Sequence, residues 1–232
     1  MNNPLSVVLF VVFLTGCSGG SSAIVDTLRY ATDVFRPGTT TPRLSPDFSY
    51  LRVTVDGRAL FLARGSIDAG SQGPVEVWYS SEREVIRLQN GRVVGAVGAT
   101  TEWRNVLLPS LPSWRTIAGD REFKWTRVRD VMPGYRFGVR DSLLMSVIPA
   151  PGKSALVDVD PKSLAWFEER IQSDPSGPSN TAGASETLPA ARYAVAFSNG
   201  EEQVIYGEQC LAPTFCFTWQ RWPAEPSPND KK

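Results

Sequence analysis

Val85-Ile86-Arg87-Leu88-Gln89-Asn90-Gly91-Arg92-Val93-Val94 decides the fold. Two short runs rich in branched apolar residues flank Asn-Gly. Both residues of that dipeptide accept positive φ, as a two-residue turn between twisted antiparallel strands requires. The stretch predicts a β-hairpin. The pattern repeats on either side. Tyr50-Leu51-Arg52-Val53-Thr54-Val55 and Ala59-Leu60-Phe61-Leu62 flank Asp56-Gly57, and Val75-Glu76-Val77-Trp78-Tyr79 follows. Further short alternating segments lie at 123–128, 135–139, 143–148, 193–197, 204–206 and 215–219, with Asn199-Gly200 between two of them. So many closely spaced segments of period two predict a mainly β chain. The expected architecture is an antiparallel meander closed as a barrel or folded over as a sandwich.

Two helices are expected beside the strands. In 23–35 the apolar residues Ile24, Val25, Leu28, Ala31, Val34 and Phe35 recur at three and four, with Ser22 as cap and Pro37-Gly38 as stop. In 161–172, Leu164, Phe167 and Ile171 have the same spacing, behind Asp160 as cap and Pro161 in the first turn. Eleven of the fifteen residues in 174–188 are Pro, Gly, Ser, Thr or Ala, the composition of a flexible loop. The tail 223–232 has the same character and is expected to fray. One β-rich domain is therefore expected over 23–222.

The segment 5–14 is apolar-rich and runs into Leu14-Thr15-Gly16-Cys17. Ten helical residues rise about 15 Å, against a hydrocarbon core of roughly 30 Å, so the run is too short to span a bilayer. A plain secretory signal would end in an A-x-A-like site. Thr-Gly-Cys instead reads as a bacterial lipobox: 1–16 is removed, the Cys17 thiol takes the lipid, and 17–22 forms a Gly/Ser tether. Met1-Asn2-Asn3-Pro4 lacks the usual basic residues of such a signal. Ser18 stands where Asp commonly retains lipoproteins at the inner membrane, so the outer membrane is expected, with the domain facing the periplasm.

Composition excludes more than it selects. Lys and Arg number 24 and Asp and Glu number 24, so no bulk field favours nucleic acid. The basic residues are 19 Arg and 5 Lys, and Arg suits planar recognition of carboxylate or phosphate. Histidine is absent, which removes Ser-His-Asp and Cys-His catalysis and most zinc or copper sites. A literal G-x-S-x-G spans 16–20, but it overlaps the lipobox and has no histidine partner. No cofactor or metal is expected. With Cys17 lipidated outside the cytosol, Cys210 and Cys216 are expected to form a disulfide.

Three groups of residues are candidates for binding or chemistry. Period two places Phe123, Trp125, Arg127 and Arg129 on one strand face, where Trp125, Arg127 and Arg129 could stack on sugar rings and pair with their carboxylates. In Tyr135-Arg136-Phe137-Gly138-Val139-Arg140 the aromatics and arginines take opposite faces. The plainer reading turns the aromatics to the core and lays arginine stems over its rim. Phe215, Phe217, Trp219 and Trp222 surround Cys216, as a pinned core corner or as a ligand platform. Glu76, Glu82, Glu84, Glu102 and Glu122 are carboxylates in the β-rich part, but no spacing selects a catalytic pair among them. No catalytic residue is assigned.

Taken in order, several stretches resemble the YjbF/GfcB family of outer-membrane lipoproteins, associated with exopolysaccharide and group 4 capsule production. They are the lipobox at Cys17, Ile24-Val25-Asp26-Thr27-Leu28-Arg29-Tyr30, Tyr50-Leu51-Arg52-Val53 and Glu76-Val77-Trp78-Tyr79. Ile86-Arg87-Leu88-Gln89-Asn90-Gly91-Arg92 follows, then Tyr206-Gly207-Glu208-Gln209-Cys210 and Cys216-Phe217-Thr218-Trp219-Gln220-Arg221-Trp222-Pro223. The resemblance covers most of the mature chain. It implies a β-rich, periplasm-facing lipoprotein that assists in making or exporting a surface polysaccharide. The leading reading is a non-enzymatic accessory that binds glycan or another secretion component. A carboxylate-dependent polysaccharide-modifying enzyme and a purely structural envelope protein are the competing readings.

Overall fold

The structure, a computed structural model, describes residues 44–172 and 187–223. Among them are twelve strands: β1 (Tyr50–Val55), β2 (Arg58–Asp68), β3 (Val75–Tyr79), β4 (Val85–Gln89), β5 (Arg92–Val97), β6 (Glu102–Leu107), β7 (Glu122–Met132), β8 (Arg136–Ile148), β9 (Ala165–Ile171), β10 (Ala191–Ser198), β11 (Glu201–Ala212) and β12 (Phe215–Trp222). The α-helix among the described residues is α1 (Trp114–Asp120). Each strand pairs antiparallel with the next, and β1 pairs with β12 from Tyr50↔Trp222 to Val55↔Phe217. The expected meander therefore closes as a barrel, which leaves no free sheet edge at the β1–β12 join.

The three turn dipeptides do what their residue types allow. Asp56 and Gly57, Asn90 and Gly91, and Asn199 and Gly200 all have positive φ, from 47° to 84°. At Gly91 the need is double, because a Cβ there would also collide with Val204.

The alternation runs apolar inward and polar outward. Leu51, Val53, Leu62, Leu88, Phe167 and Trp219 are buried in one core, while Lys124, Thr126, Arg140 and Ser142 are exposed on the outer face of β7 and β8. A lipid-facing barrel has the opposite polarity. This wall is built to be wet outside.

Strict antiparallel order divides the loops between two ends. Residue 49 enters β1 and Trp222 leaves β12 at the same end, which also carries the Asn90-Gly91 and Asn199-Gly200 turns, α1 and the segment 149–164. We call this the terminal end. The far end carries the Asp56-Gly57 turn, the β7–β8 turn and the β11–β12 turn.

Helix α1 closes the terminal end. Trp114 is fully buried, with its ring 5.0 Å from Phe167 and 5.2 Å from Tyr193. Its Nε1 donates to the Asn90 carbonyl at 3.2 Å. Glu202 accepts from the Trp114 and Arg115 amides at 2.9 and 3.0 Å, and Ser113 Oγ accepts from the Thr116 amide at 3.1 Å, so the first turn's donors are satisfied.

The expected helix over 161–172 is corrected. Pro161–Ser163 forms a single 3-10 turn and Ala165–Ile171 is strand β9. The helical spacing arises because both faces of β9 are buried. Phe167 faces the barrel core, while Trp166 packs outside with Tyr206 and Leu164. Segment 149–164 is strapped over that outer face by the Ala155 amide donating to Tyr206 Oη at 3.1 Å. The Val157 amide and carbonyl add bonds to the Gln220 side chain at 2.9 and 2.8 Å. Segments 135–139 and 143–148 are parts of one strand, β8, and β6 and α1 were not anticipated. The expected helix over 23–35, the lipobox with Cys17, the tether and nearly all of the 174–188 loop and 223–232 tail lie outside the described residues. Leu188, at the end of that loop, is buried.

Candidate functional site

Strand β7 sends Trp125, Arg127 and Arg129 to one face, as period two requires, and that face is the barrel interior. The expected grouping holds, and of the two readings given for it the face is neither an open sugar-binding surface nor a rim of arginine stems, since Trp125, Arg127 and Arg129 are all buried. Cross-strand register supplies the counter-charge. Arg127 lies directly opposite Asp141 of β8. Arg127 donates through Nε and Nη2 to Asp141 Oδ2, at 2.9 and 2.7 Å, and through Nη1 to Glu169 Oε1 at 3.2 Å. Arg129 donates through Nε to Asp141 Oδ2 at 2.7 Å and through Nη2 to Oδ1 at 3.1 Å. Asp141 Oδ2 thus serves both arginines, and Oδ1 accepts from Arg129.

Trp103 of β6 lies against both guanidinium groups, with Arg127 Cζ 4.6 Å and Arg129 Cζ 5.0 Å from its ring centroid. Its Nε1 donates to the Leu211 carbonyl at 3.1 Å, which holds the ring in place. This packing matters because a buried ion pair repays desolvation only when its geometry and remaining hydrogen bonds are good. Without Asp141, two buried guanidinium groups would lose their shared acceptor.

Arg92 is a third interior cation. Its Cζ sits 3.9 Å over the Trp114 ring, and its Nη2 contacts Met145 Sδ at 3.8 Å. Burial lowers its pKa from the usual arginine value, a shift opposed by the carboxylates of Glu169 and Glu202. Burial also pushes the Glu169 carboxyl up, against the pull of Arg127 and then Arg92. Tyr193 is pushed up as well and stays a neutral phenol, donating to Gln209 Oε1 at 3.4 Å. Among the described residues, Glu169 Oε2, Arg129 Nη1, and Arg92 Nε and Nη1 are buried without a hydrogen-bond partner. Toward the far end, Arg127, Glu169, Leu188, Ala191, Gln209 and Cys210 line a small recess.

The expected disulfide is present. Cys210 pairs directly with Cys216 across β11 and β12, and the S–S bond staples the far-end hairpin through Pro213. The C-terminal aromatic cluster divides by face. Phe217 and Trp219 are in the core, while Trp222 packs outside against Phe61 with centroids 5.8 Å apart. The acids Glu76, Glu82, Glu84, Glu102 and Glu122 do not converge. Glu76 pairs with Arg221 at 2.8 Å, Glu102 with Arg104 at 2.6 Å and Glu84 with Ser80. Glu82 and Glu122 are exposed. The carboxylates the fold does bring together, Asp141 and Glu169, stood outside that group, as did Arg92 and Trp103. The available signal was cross-strand: Asp141 falls opposite Arg127 once β7 and β8 are read as one long hairpin. Among the described residues no group of three or more His, Cys, Asp or Glu could hold a metal ion.

These features define a closed β-barrel of water-soluble polarity with an ion-paired interior. No family model matches the chain, and neither does any curated protein. Among solved structures it is similar to the crystal structure of the hypothetical lipoprotein YmcC from Escherichia coli (K12). The TM-score is 0.54 at 15% sequence identity, covering 88% of this chain and 94% of that one. At this identity the likeness shows the fold.

Proposed function

We propose that this chain is an outer-membrane lipoprotein, anchored through Cys17. In this reading its barrel serves as a non-enzymatic accessory in exopolysaccharide or capsule production or export. The observation that carries the reading is a pairing: the lipobox Leu14-Thr15-Gly16-Cys17 stands ahead of a barrel shared with a protein described as a lipoprotein. The resemblance of the ordered motifs to the YjbF/GfcB family supplies the link to polysaccharide. The partner is glycan or a component of the secretion machinery. Arg127 and Arg129 are ion-paired inside the barrel and Trp125 is buried beside them, so ligand contact is not assigned to the three.

An accessory should matter to the amount of surface polymer without cutting it. Deleting the gene should lower surface polysaccharide, and the wild-type gene should restore it. Purified protein should release no reducing ends from that polymer. Unchanged polysaccharide after deletion contradicts the reading, and release of reducing ends replaces it with the enzymatic one.

A further inference from the structure

The β7–β8 turn at the far end displays two aromatic rings on purpose-built backbone. Tyr135 is 75% exposed and Phe137 62%, the largest values among the exposed large apolar residues. Tyr135 holds φ +52°, a left-handed conformation that a tyrosine rarely adopts, directly after Gly134 at +99°. Register explains Phe137. Arg129 pairs with Val139 and Val131 with Arg136, so Asp130 faces two residues, Phe137 and Gly138. This is a β-bulge, with Gly138 at φ +65° and its amide donating to Asp130 Oδ1 at 2.9 Å. Plain alternation would send Phe137 inward with Val139 and Asp141. The bulge releases it to solvent.

The surroundings favour a particular occupant. Exposed Arg140 follows the bulge, and Asp130 Oδ1 accepts from the Gly138 amide. A protein-docking patch is a contiguous apolar area of several hundred Å². Here the two rings are followed along the chain by the exposed guanidinium of Arg140 instead. An open aromatic face offers stacking to the C–H face of a sugar ring, and a guanidinium offers paired donors to a carboxylate. The hairpin also lies at the end of the barrel opposite to where the chain leads back toward Cys17.

We propose that the Tyr135–Phe137 hairpin binds a chain of pyranose rings carrying carboxylates, stacking on both aromatics with Arg140 as counter-charge. This rests on the polysaccharide-accessory reading and names its contact surface.

Retention of the full lipidated chain, in detergent, on immobilised polygalacturonate tests it, with neutral dextran as control. Wild type should bind polygalacturonate saturably and dextran far less. The Tyr135→Ala/Phe137→Ala variant should bind about tenfold more weakly, and Tyr135→Trp/Phe137→Trp should bind at least as well as wild type. Failure of wild type to bind polygalacturonate, equal binding of dextran, or undiminished binding by the alanine variant would each overturn the proposal. So would a photocrosslinker at position 135 that captures only protein in cells. Normal surface polysaccharide in the alanine variant, where gene deletion lowers it, sinks this assignment alone. No loss on deletion sinks the accessory reading beneath it.

Discussion

The two ends of the barrel are finished differently. At the terminal end, α1 inserts Trp114 between Phe167 and Tyr193, Glu202 takes up the helix's first amides, and the segment 149–164 straps the outer wall. The far end is held by a covalent staple at Cys210–Cys216, keeps a recess beside Glu169, and exposes Tyr135 and Phe137. One end spends its aromatics on burial and the other displays them. The contrast separates residues whose loss should cost folding from residues whose loss should cost only contact.

The largest effect is expected at the closed end. Trp114→Ala removes a fully buried ring that nothing nearby can replace, and should cost about 3–5 kcal/mol in urea unfolding. A loss below about 1 kcal/mol would mean that α1 is not part of the core. At the far end, replacing Cys210 and Cys216 together by Ser should cost about 2 kcal/mol, because the closed loop is short. Thiol titration of the intact protein should detect neither cysteine until reductant is added.

Between the ends, Glu169 makes the contrast depend on pH. Its folded pKa is raised, chiefly by burial, above an unfolded value of about 4.3. Its contribution to stability is therefore fully present below about pH 4.3 and is lost as pH rises through the raised folded value. Glu169→Gln keeps the shape and removes the titration. Urea melts should show wild type losing ground to Glu169→Gln as pH rises from about 4 to about 7. A difference that stays flat over that range would show that Arg127 fully compensates the burial. The smallest effect belongs to the display itself. Tyr135→Ala/Phe137→Ala should change stability by no more than about 0.5 kcal/mol, as exposed substitutions do, and a loss of several times that would mean the rings are structural.

Much of the fold was legible because turn chemistry is local. Asp56-Gly57, Asn90-Gly91 and Asn199-Gly200 marked three hairpins, and alternation correctly grouped Trp125, Arg127 and Arg129. Closure was left open between barrel and sandwich, since the β1–β12 pairing joins residues from opposite ends of the domain. The side on which a charged face lies was harder to read. Arginine beside tryptophan suggests a surface, yet here Asp141 of the neighbouring strand and Glu169, 42 residues from Arg127, draw the arginines inward. Strand β9 was misread because burial on both faces erased period two, leaving Leu164, Phe167 and Ile171 at a helical spacing. Phe137 escaped its expected face through a bulge that becomes visible only when β7 and β8 are aligned.

The central claim is that a lipid on Cys17 holds this barrel at a membrane, and metabolic labelling with palmitate tests it most directly. The wild-type chain should carry label and sediment with membranes, while the full-length Cys17→Ser chain should carry none and be released. Label retained in Cys17→Ser, or an unlabelled wild-type chain, would contradict the account.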